Sequence, residues 1–221
     1  MKHSLLAGKI ILCTTENSED DKLCELAIKH DIQYFRGSKT DKLIRWNSAC
    51  KAFNINFFVT ADGDDLLCDP HLADLAFSQH EHLGNDFIYS PSIVCGGFTY
   101  GISRKALQHV CDIKDTDDTE MIEPYFTKIP NIDISQLKSV PDGYKDNTIR
   151  LTLDYKEDLD FFKHLITGLG HSFVLQKECT LKEILEYINA NKHLKNTNMF
   201  RHAEWRQNQL KTTNFKIKHE I

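Results

Sequence analysis

The sequence predicts an α/β fold in which helices cover a mainly parallel central sheet. Three observations carry that prediction. Short apolar runs alternate with amphipathic stretches through the first two thirds of the 221 residues, the spacing of right-handed βαβ crossovers. Runs such as Ile10-Ile11-Leu12-Cys13 are apolar without alternation, as strands buried on both faces are. Helix-start residues stand directly before several of the amphipathic stretches.

In chain order, Ile10 to Cys13 is the first expected strand, followed by a helix opening near Ser18 and Asp21 with Leu23, Leu26, Ala27 and His30 on one face. Ile32 to Phe35 reads as a second strand that ends at Arg36-Gly37-Ser38. Thr40 is placed to cap a helix whose apolar side is Leu43, Ile44, Trp46, Cys50 and Phe53. Ile55 to Val59 is a third strand, and Asp69-Pro70 starts the next helix with an acid at the cap and proline in the first turn. Phe87 to Tyr89 is a short strand, Pro91 to Tyr100 a glycine-bearing loop or hairpin, and Ser103–Val110 and Thr119–Thr127 are expected helices. Ile149 to Leu153 is a further strand, and the helix after it carries Leu159, Phe162, Leu165 and Ile166 and stops near Gly168. Thr180 and Glu183 form a capping box before Ile184, Leu185 and Ile188.

Composition narrows the function classes. At 41% hydrophobic and 27% charged the chain is of ordinary globular type. A net charge of −5 offers no general basic field for nucleic acid. The tail from Lys192 to Lys218 is basic, and reads as a solvated helix and frayed terminus. Seven cysteines, none in a C-x-x-C pair, argue against both a disulfide framework and a structural zinc. His80 and His82 are a close pair at an expected helix end, where solvation explains them better than metal. No apolar run reaches the roughly 18 residues of a membrane span, and the N-terminal apolar stretch is too short for a signal peptide, so the expectation is a cytoplasmic protein with no membrane partner.

Chemistry is expected where strands end, because ligands of open α/β sheets collect beyond the strands' carboxyl ends. Two expected strands finish in acids, at Asp62-Gly63-Asp64-Asp65 and at Asp154. Crowded carboxylates repel one another, and magnesium accepts one or two carboxylates together with phosphate oxygens. The alternative is an acidic turn whose aspartates cap the next helix.

Several segments, in order and over about Ile10 to Trp205, resemble the cytidylyltransferases of the CMP-sugar synthetase superfamily, in the branch of spore-coat polysaccharide and acylneuraminate cytidylyltransferase-like proteins. These are Ile11 to Asp21, Phe35-Arg36-Gly37-Ser38 with Asp41-Lys42-Leu43, Asp62 to Asp65 with Asp69-Pro70, Asp115 to Glu120 with Pro124-Tyr125-Phe126, and Leu151 to Asp154 with Glu157-Asp158-Leu159. The resemblance implies a three-layer, Rossmann-like nucleotide-diphospho-sugar transferase fold, with a nucleotidyltransferase α/β domain over 1–175 and a C-terminal helical extension over 176–221. It implies transfer of CMP from CTP to a sugar acid or small phosphorylated acceptor with release of pyrophosphate, for cell-surface polysaccharide, in a chain that can pair as a homodimer. Asp64 and Asp154 are then the catalytic, Mg2+-facing carboxylates. Arg36, Gly37, Ser38, Asp41, Lys42 and Asp62 approach the nucleotide, and Gly96, Gly97, Glu120 and Tyr125 shape the acceptor pocket. Two other readings stay open: a type A glycosyltransferase, since Asp62-Gly63-Asp64 is a D-x-D pattern, and a catalytically silent remnant.

One departure bears on all of this. The family opens with a strand and a loop of the form Q-A-R-x-x-S-x-R-L-P-x-K that grips the triphosphate, and no such segment occurs here. The expectation is that a β-loop-α unit of about 30 or more residues is absent. That would leave strand edges and apolar surface exposed and weaken the grip on the triphosphate. A truncated reading frame, a mis-assigned start, a decayed gene or a subunit complemented by a separate piece would each produce the pattern.

Overall fold

Phe87 and Ile88 are adjacent in sequence and fully buried, yet they belong to different cores. Successive side chains of a strand point to opposite faces, so the sheet that carries them separates two apolar layers. In the computed structural model, which describes residues 1–170 and 180–218, that sheet has four strands in the order β3-β5-β4-β6: β3 (Phe57–Val59), β5 (Tyr100–Ser103), β4 (Phe87–Tyr89) and β6 (Ile134–Gln136). β5 runs antiparallel to both β3 and β4, whereas β4 and β6 are parallel. A separate two-stranded parallel sheet pairs β1 (Ile11–Thr15) with β2 (Gln33–Gly37). The sheets are thus mixed, because β4 returns to β5 through the glycine-bearing loop instead of through a crossover helix.

On the Ile88 side lie α3 (Pro70–Leu83), α6 (Lys156–Leu169) and α7 (Leu181–Ala190), contributing Leu72, Ala76, Phe161, Phe162, Leu165, Ile184, Leu185 and Ile188. On the Phe87 side lie α2 (Lys42–Phe53), α4 (Arg104–Ile113) and α5 (Glu123–Thr127), with Leu43, Trp46, Leu107, Val110, Tyr125 and Phe126. Phe87 stacks on Phe126 at 4.6 Å between ring centroids, which ties α5 to the sheet. α1 (Asp21–Lys29) joins β1 to β2, and α8 (Lys195–Asn198) and α9 (His202–Thr212) follow α7. Among the described residues, no helix is long and apolar enough to cross a membrane.

The caps explain where helices begin. The Asp69 carboxylate accepts from His71 N at 2.8 Å beside Pro70, and α3 ends at Gly84, whose φ of 73° needs glycine's freedom. Ser103 accepts from Ala106 N at 3.1 Å, and Thr180 and Glu183 complete their box. α2 departs from expectation: Asp41, not Thr40, is its cap, accepting from Ile44 N at 3.0 Å. Helix over Thr119–Thr127 shrinks to Glu123–Thr127, since Thr119 is used to bond Asp41 and Leu43. Among the described residues, 149–153 joins no sheet ladder. It pairs with loops, through a single bridge from Arg150 to Cys95 and a bond from Leu153 N to Asp64 O. β6 was not foreseen, its polar Ser135 and Gln136 breaking the apolar pattern.

The expected boundary at 175/176 lies outside the described residues. After it, Leu181, Ile184, Leu185, Ile188 and Leu194 share one core with Phe161, Phe162 and Leu165.

Candidate active site

The loop from β3 to α3 is held in shape from both ends. Asp65 N bonds to Asp62 O, Cys68 N to Asp65 O, and Asp69 N to Gly97 O, while Leu153 N fastens the Asp64 carbonyl. The fold thereby gathers three acids: ligand oxygens of Asp62, Asp64 and Asp65 all lie within 4.8 Å of one another. Their crowding is electrostatically visible. Burial, then the neighbouring carboxylates Asp62 and Asp154, raise the Asp64 carboxyl above its ordinary range. Burial, then Asp64 and Asp62, push Asp65 up to about 7. An all-oxygen, anionic donor set of this kind fits a hard divalent cation such as magnesium, and fits zinc or copper poorly.

These acids border a cavity of about 650 Å³, within the roughly 300–1,000 Å³ range of small-ligand sites. Its walls come from the first residues of β1, the end of β3, the start of α2, the 89–100 loop, residues 120–123 and α9. Two cations, Lys42 and Arg45, face five carboxylates, Asp62, Asp64, Asp65, Glu120 and Glu123. A nucleotide phosphate entering this field needs a bound cation to offset the repulsion. Lys42 lies 3.3 Å from Asp62 and 3.8 Å from Glu120, with its ammonium 5.3 Å from the Trp46 ring centroid.

Of the residues expected from sequence, Asp62, Asp64, Lys42, Gly96 and Glu120 line this cavity. Gly96 has φ 87°, and a Cβ there would meet Leu151 O at 2.3 Å, so its smallness lets the 149–154 segment approach the acidic loop. The remaining expected residues do not line it. Arg36 fastens the loop after β1, donating to Thr15 O at 2.9 Å, Asn17 O at 2.6 Å and Asp21 at 2.6 Å. Gly37 packs against Phe35 and Arg45, and Ser38 Oγ accepts from Asp41 N. Asp41 is buried, capping α2 and paired with the buried Lys114 and with Thr119. Gly97 serves Asp69 through its carbonyl. Tyr125 is fully buried, and its hydroxyl donates to Asn214 O at 2.7 Å and accepts from Lys216 N at 3.2 Å.

Asp154 stands beside the trio but outside the 4.8 Å group. Its Oδ2 accepts from Arg150 Nη2 at 2.5 Å and Thr152 Oγ1 at 3.2 Å. Arg150 is itself fully buried, gripped by Asp158 at 3.0 Å and 3.2 Å and lying 5.1 Å from the Trp205 ring centroid. Burial alone would raise the Asp158 carboxyl, but Arg150 and the N–H groups of Asp154 and Tyr155 hold it below its ordinary range.

Sequence reasoning missed Tyr89, Phe98, Thr99, Tyr100, Glu123, Trp205 and Gln209, all of which line the cavity. Aromatic and polar residues of a loop carry no periodicity, and only the isolated Trp205 on a polar helix offered a signal.

No protein-family model matches the chain. By sequence it is similar to an uncharacterized protein, MJ1063, of Methanocaldococcus jannaschii, with 28% identity over 205 residues, covering 90% of this chain and 80% of the relative. It is also similar to the spore coat polysaccharide biosynthesis protein SpsF of Bacillus subtilis, with 25% identity over 187 residues, covering 82% of this chain and 75% of that protein. Among solved structures, a cytidylyltransferase from Leptospira borgpetersenii superposes with a TM-score of 0.76 over 87% of this chain and 81% of that one, at 23% identity. The chain thus has the α/β fold of a cytidylyltransferase and is a relative of SpsF, as its motifs suggested.

Proposed function

We propose that a chain with this fold and these relatives is a cytidylyltransferase-type enzyme, moving CMP from CTP to a sugar acid or related acceptor in cell-surface polysaccharide synthesis. The observation that carries the reading is the carboxylate trio Asp62, Asp64 and Asp65, set with Lys42 at the wall of a nucleotide-sized cavity. In such a transfer an acceptor oxygen bonds to the α-phosphorus as the bond to pyrophosphate breaks, so position and positive charge matter more than a covalent intermediate. A magnesium ion held by Asp64 with Asp62 or Asp65 would neutralise phosphate charge as it shifts to the leaving group.

The chain's own side chains divide the remaining work. Lys42, 3.3 Å from Asp62, is the cation placed to turn to a phosphate oxygen once a metal takes that carboxylate. Arg150 holds Asp154 by the trio, and Asp158 holds Arg150. Tyr100, Phe98 and Trp205 offer apolar faces to base or sugar, while Glu120 and Glu123 can accept hydroxyl protons of an acceptor.

The test is release of pyrophosphate from CTP by the purified chain with magnesium and a panel of sugar acids and phosphorylated alcohols. Turnover that disappears in Asp64→Asn supports the reading. Sugar transfer from a nucleotide-sugar without pyrophosphate release replaces it with the glycosyltransferase reading that the Asp62-Gly63-Asp64 pattern allows. Nucleotide binding without either reaction identifies a silent relative.

A further inference from the structure

The segment that carries α9 joins the two cores of the molecule. Leu194, just before α8, is buried in the Ile88-side core, and Phe215, shortly after α9, packs against the Phe87-side core. Those cores lie on opposite faces of the sheet, so the chain between them passes from one face to the other. Trp205 and Gln209 show where it passes. Both line the active-site cavity, and a spacing of four puts them on one side of α9.

Both ends of this passage are tied down. Before α9, Asn198 Nδ2 donates to Asp158 at 2.9 Å and to Arg150 O at 3.1 Å, and Arg201 grips the two Glu157 oxygens at 2.8 Å and 3.1 Å. After it, the Tyr125 hydroxyl and the backbone at Ile113 and Asp115 bond the 214–218 segment, where Lys114 and Ile217 form an antiparallel bridge. α9 itself is held lightly. From His202 to Lys211 no residue is buried, and Leu210 is 76% exposed. A helix that is polar on all sides gives up little apolar contact by moving. Around its first turn, Arg150 Nη1, Asn198 Oδ1 and His202 Nδ1 are buried and make no hydrogen bond among the described residues. Arg150 and Asn198 are 0% and 1% exposed, so lifting α9 brings water to polar groups that its closed position leaves unsatisfied.

We propose that α9 is a strap that lifts from the active-site cavity as a unit, carrying Trp205 and Gln209 with it, while the segments on either side stay docked. Low local stability between two firm attachments is what such a motion requires. Closed, the strap holds the Trp205 ring centroid 5.1 Å from the Arg150 guanidinium. Cys95 stands next to that contact, since it lines the same cavity and its backbone bridges to Arg150. Its thiol therefore reports whether lifting the strap opens the cavity.

The test uses the 221-residue chain without nucleotide or metal, so its result is separable from the outcome of the pyrophosphate assay. Amide exchange compares α9 with α7 and with the amides of Lys216 and Lys218, which donate to Tyr125 and Ile113. Expected is exchange over 206–211 at least about tenfold faster than over 184–190 and at 216 and 218. Glu157→Gln, which weakens the hold on Arg201, should speed both α9 exchange and maleimide labelling of Cys95 by about three- to fivefold, with α7 unchanged. Exchange of α9 as slow as that of α7 overturns the proposal. So does exchange of α9 in step with 216 and 218, since the tail then frays from its end. A Glu157→Gln variant in which the two rates do not rise together overturns it as well, since α9 then covers nothing.

Discussion

Asp65 should make metal binding at the site depend on pH. Its carboxyl is raised from 3.8 to about 7 in the folded chain, so the folded state holds the proton more tightly than the unfolded state does. In the absence of a divalent ion this group favours folding least at high pH: its contribution declines as pH rises from about 4 to about 7. A divalent ion must displace the same proton, so its apparent affinity should fall by about tenfold per unit as pH drops below 7. Magnesium-dependent thermal shifts, measured across about pH 5.5 to 7.5, should show that slope in the natural chain and lose most of it in Asp65→Asn. Asp64→Asn should remove the magnesium-dependent shift itself and lower any pyrophosphate release by about 100-fold or more. Asp41 supplies a contrast. It bears the same charge but spends it on a helix cap and on Lys114, so Asp41→Ala should leave metal binding intact and cost about 3 kcal/mol or more of folding stability in urea titrations.

At the scale of elements, the Arg150 cluster couples the 149–154 segment, α6 and the helices after residue 180. Asp158 opens α6 and accepts from Arg150, from the backbone at Asp154 and Tyr155, and from Asn198 Nδ2 at 2.9 Å. Both charges are fully buried, so removing one leaves the other stranded. Arg150→Met should cost about 3–5 kcal/mol, and adding Asp158→Leu should recover part of it. Urea denaturation of the natural chain, the single variant and the double variant checks this. The same cluster shows where sequence reasoning stopped. Strands and caps set by local chemistry were legible: the apolar run at β1, Asp69-Pro70 before α3, and the Thr180–Glu183 box all stand where the pattern put them. Asp62, Asp64 and Lys42 were legible because they sit at an element's end with a recognisable motif. Arg150 was read as one more strand residue, since its partners lie 4, 8 and 48 positions away and its burial is set by packing that no local window contains. Tyr125 and Asp41 carry polar groups that sequence alone assigns to ligand as readily as to core, and tertiary hydrogen bonds decide between them.

For the molecule as a whole, the mixed sheet with a core on each face makes the segment after residue 180 part of one unit with α6. A chain ending at residue 175 loses Leu181, Ile184, Leu185, Ile188 and Leu194 from the larger core and Trp205 from the cavity wall. It should fail to give a cooperative thermal transition, where the 221-residue chain gives one, as followed by circular dichroism. The antiparallel placement of β5 was the feature least accessible beforehand, because strand direction depends on whether a loop or a helix makes the connection, and a glycine-rich stretch permits either a hairpin or an irregular loop.

Both tryptophans of the chain, Trp46 and Trp205, border the same cavity, one beneath the Lys42 ammonium and the other against the Arg150 guanidinium. The molecule therefore carries its own optical reporter. Nearly all of its indole emission originates where ligands would arrive, and a cytosine ring or a shift of Lys42 would change it without any attached dye. Titrating the unlabelled chain with magnesium and then with nucleotide should resolve two successive changes in emission, and Trp205→Phe should silence one emitter while Trp46 still reports on Lys42.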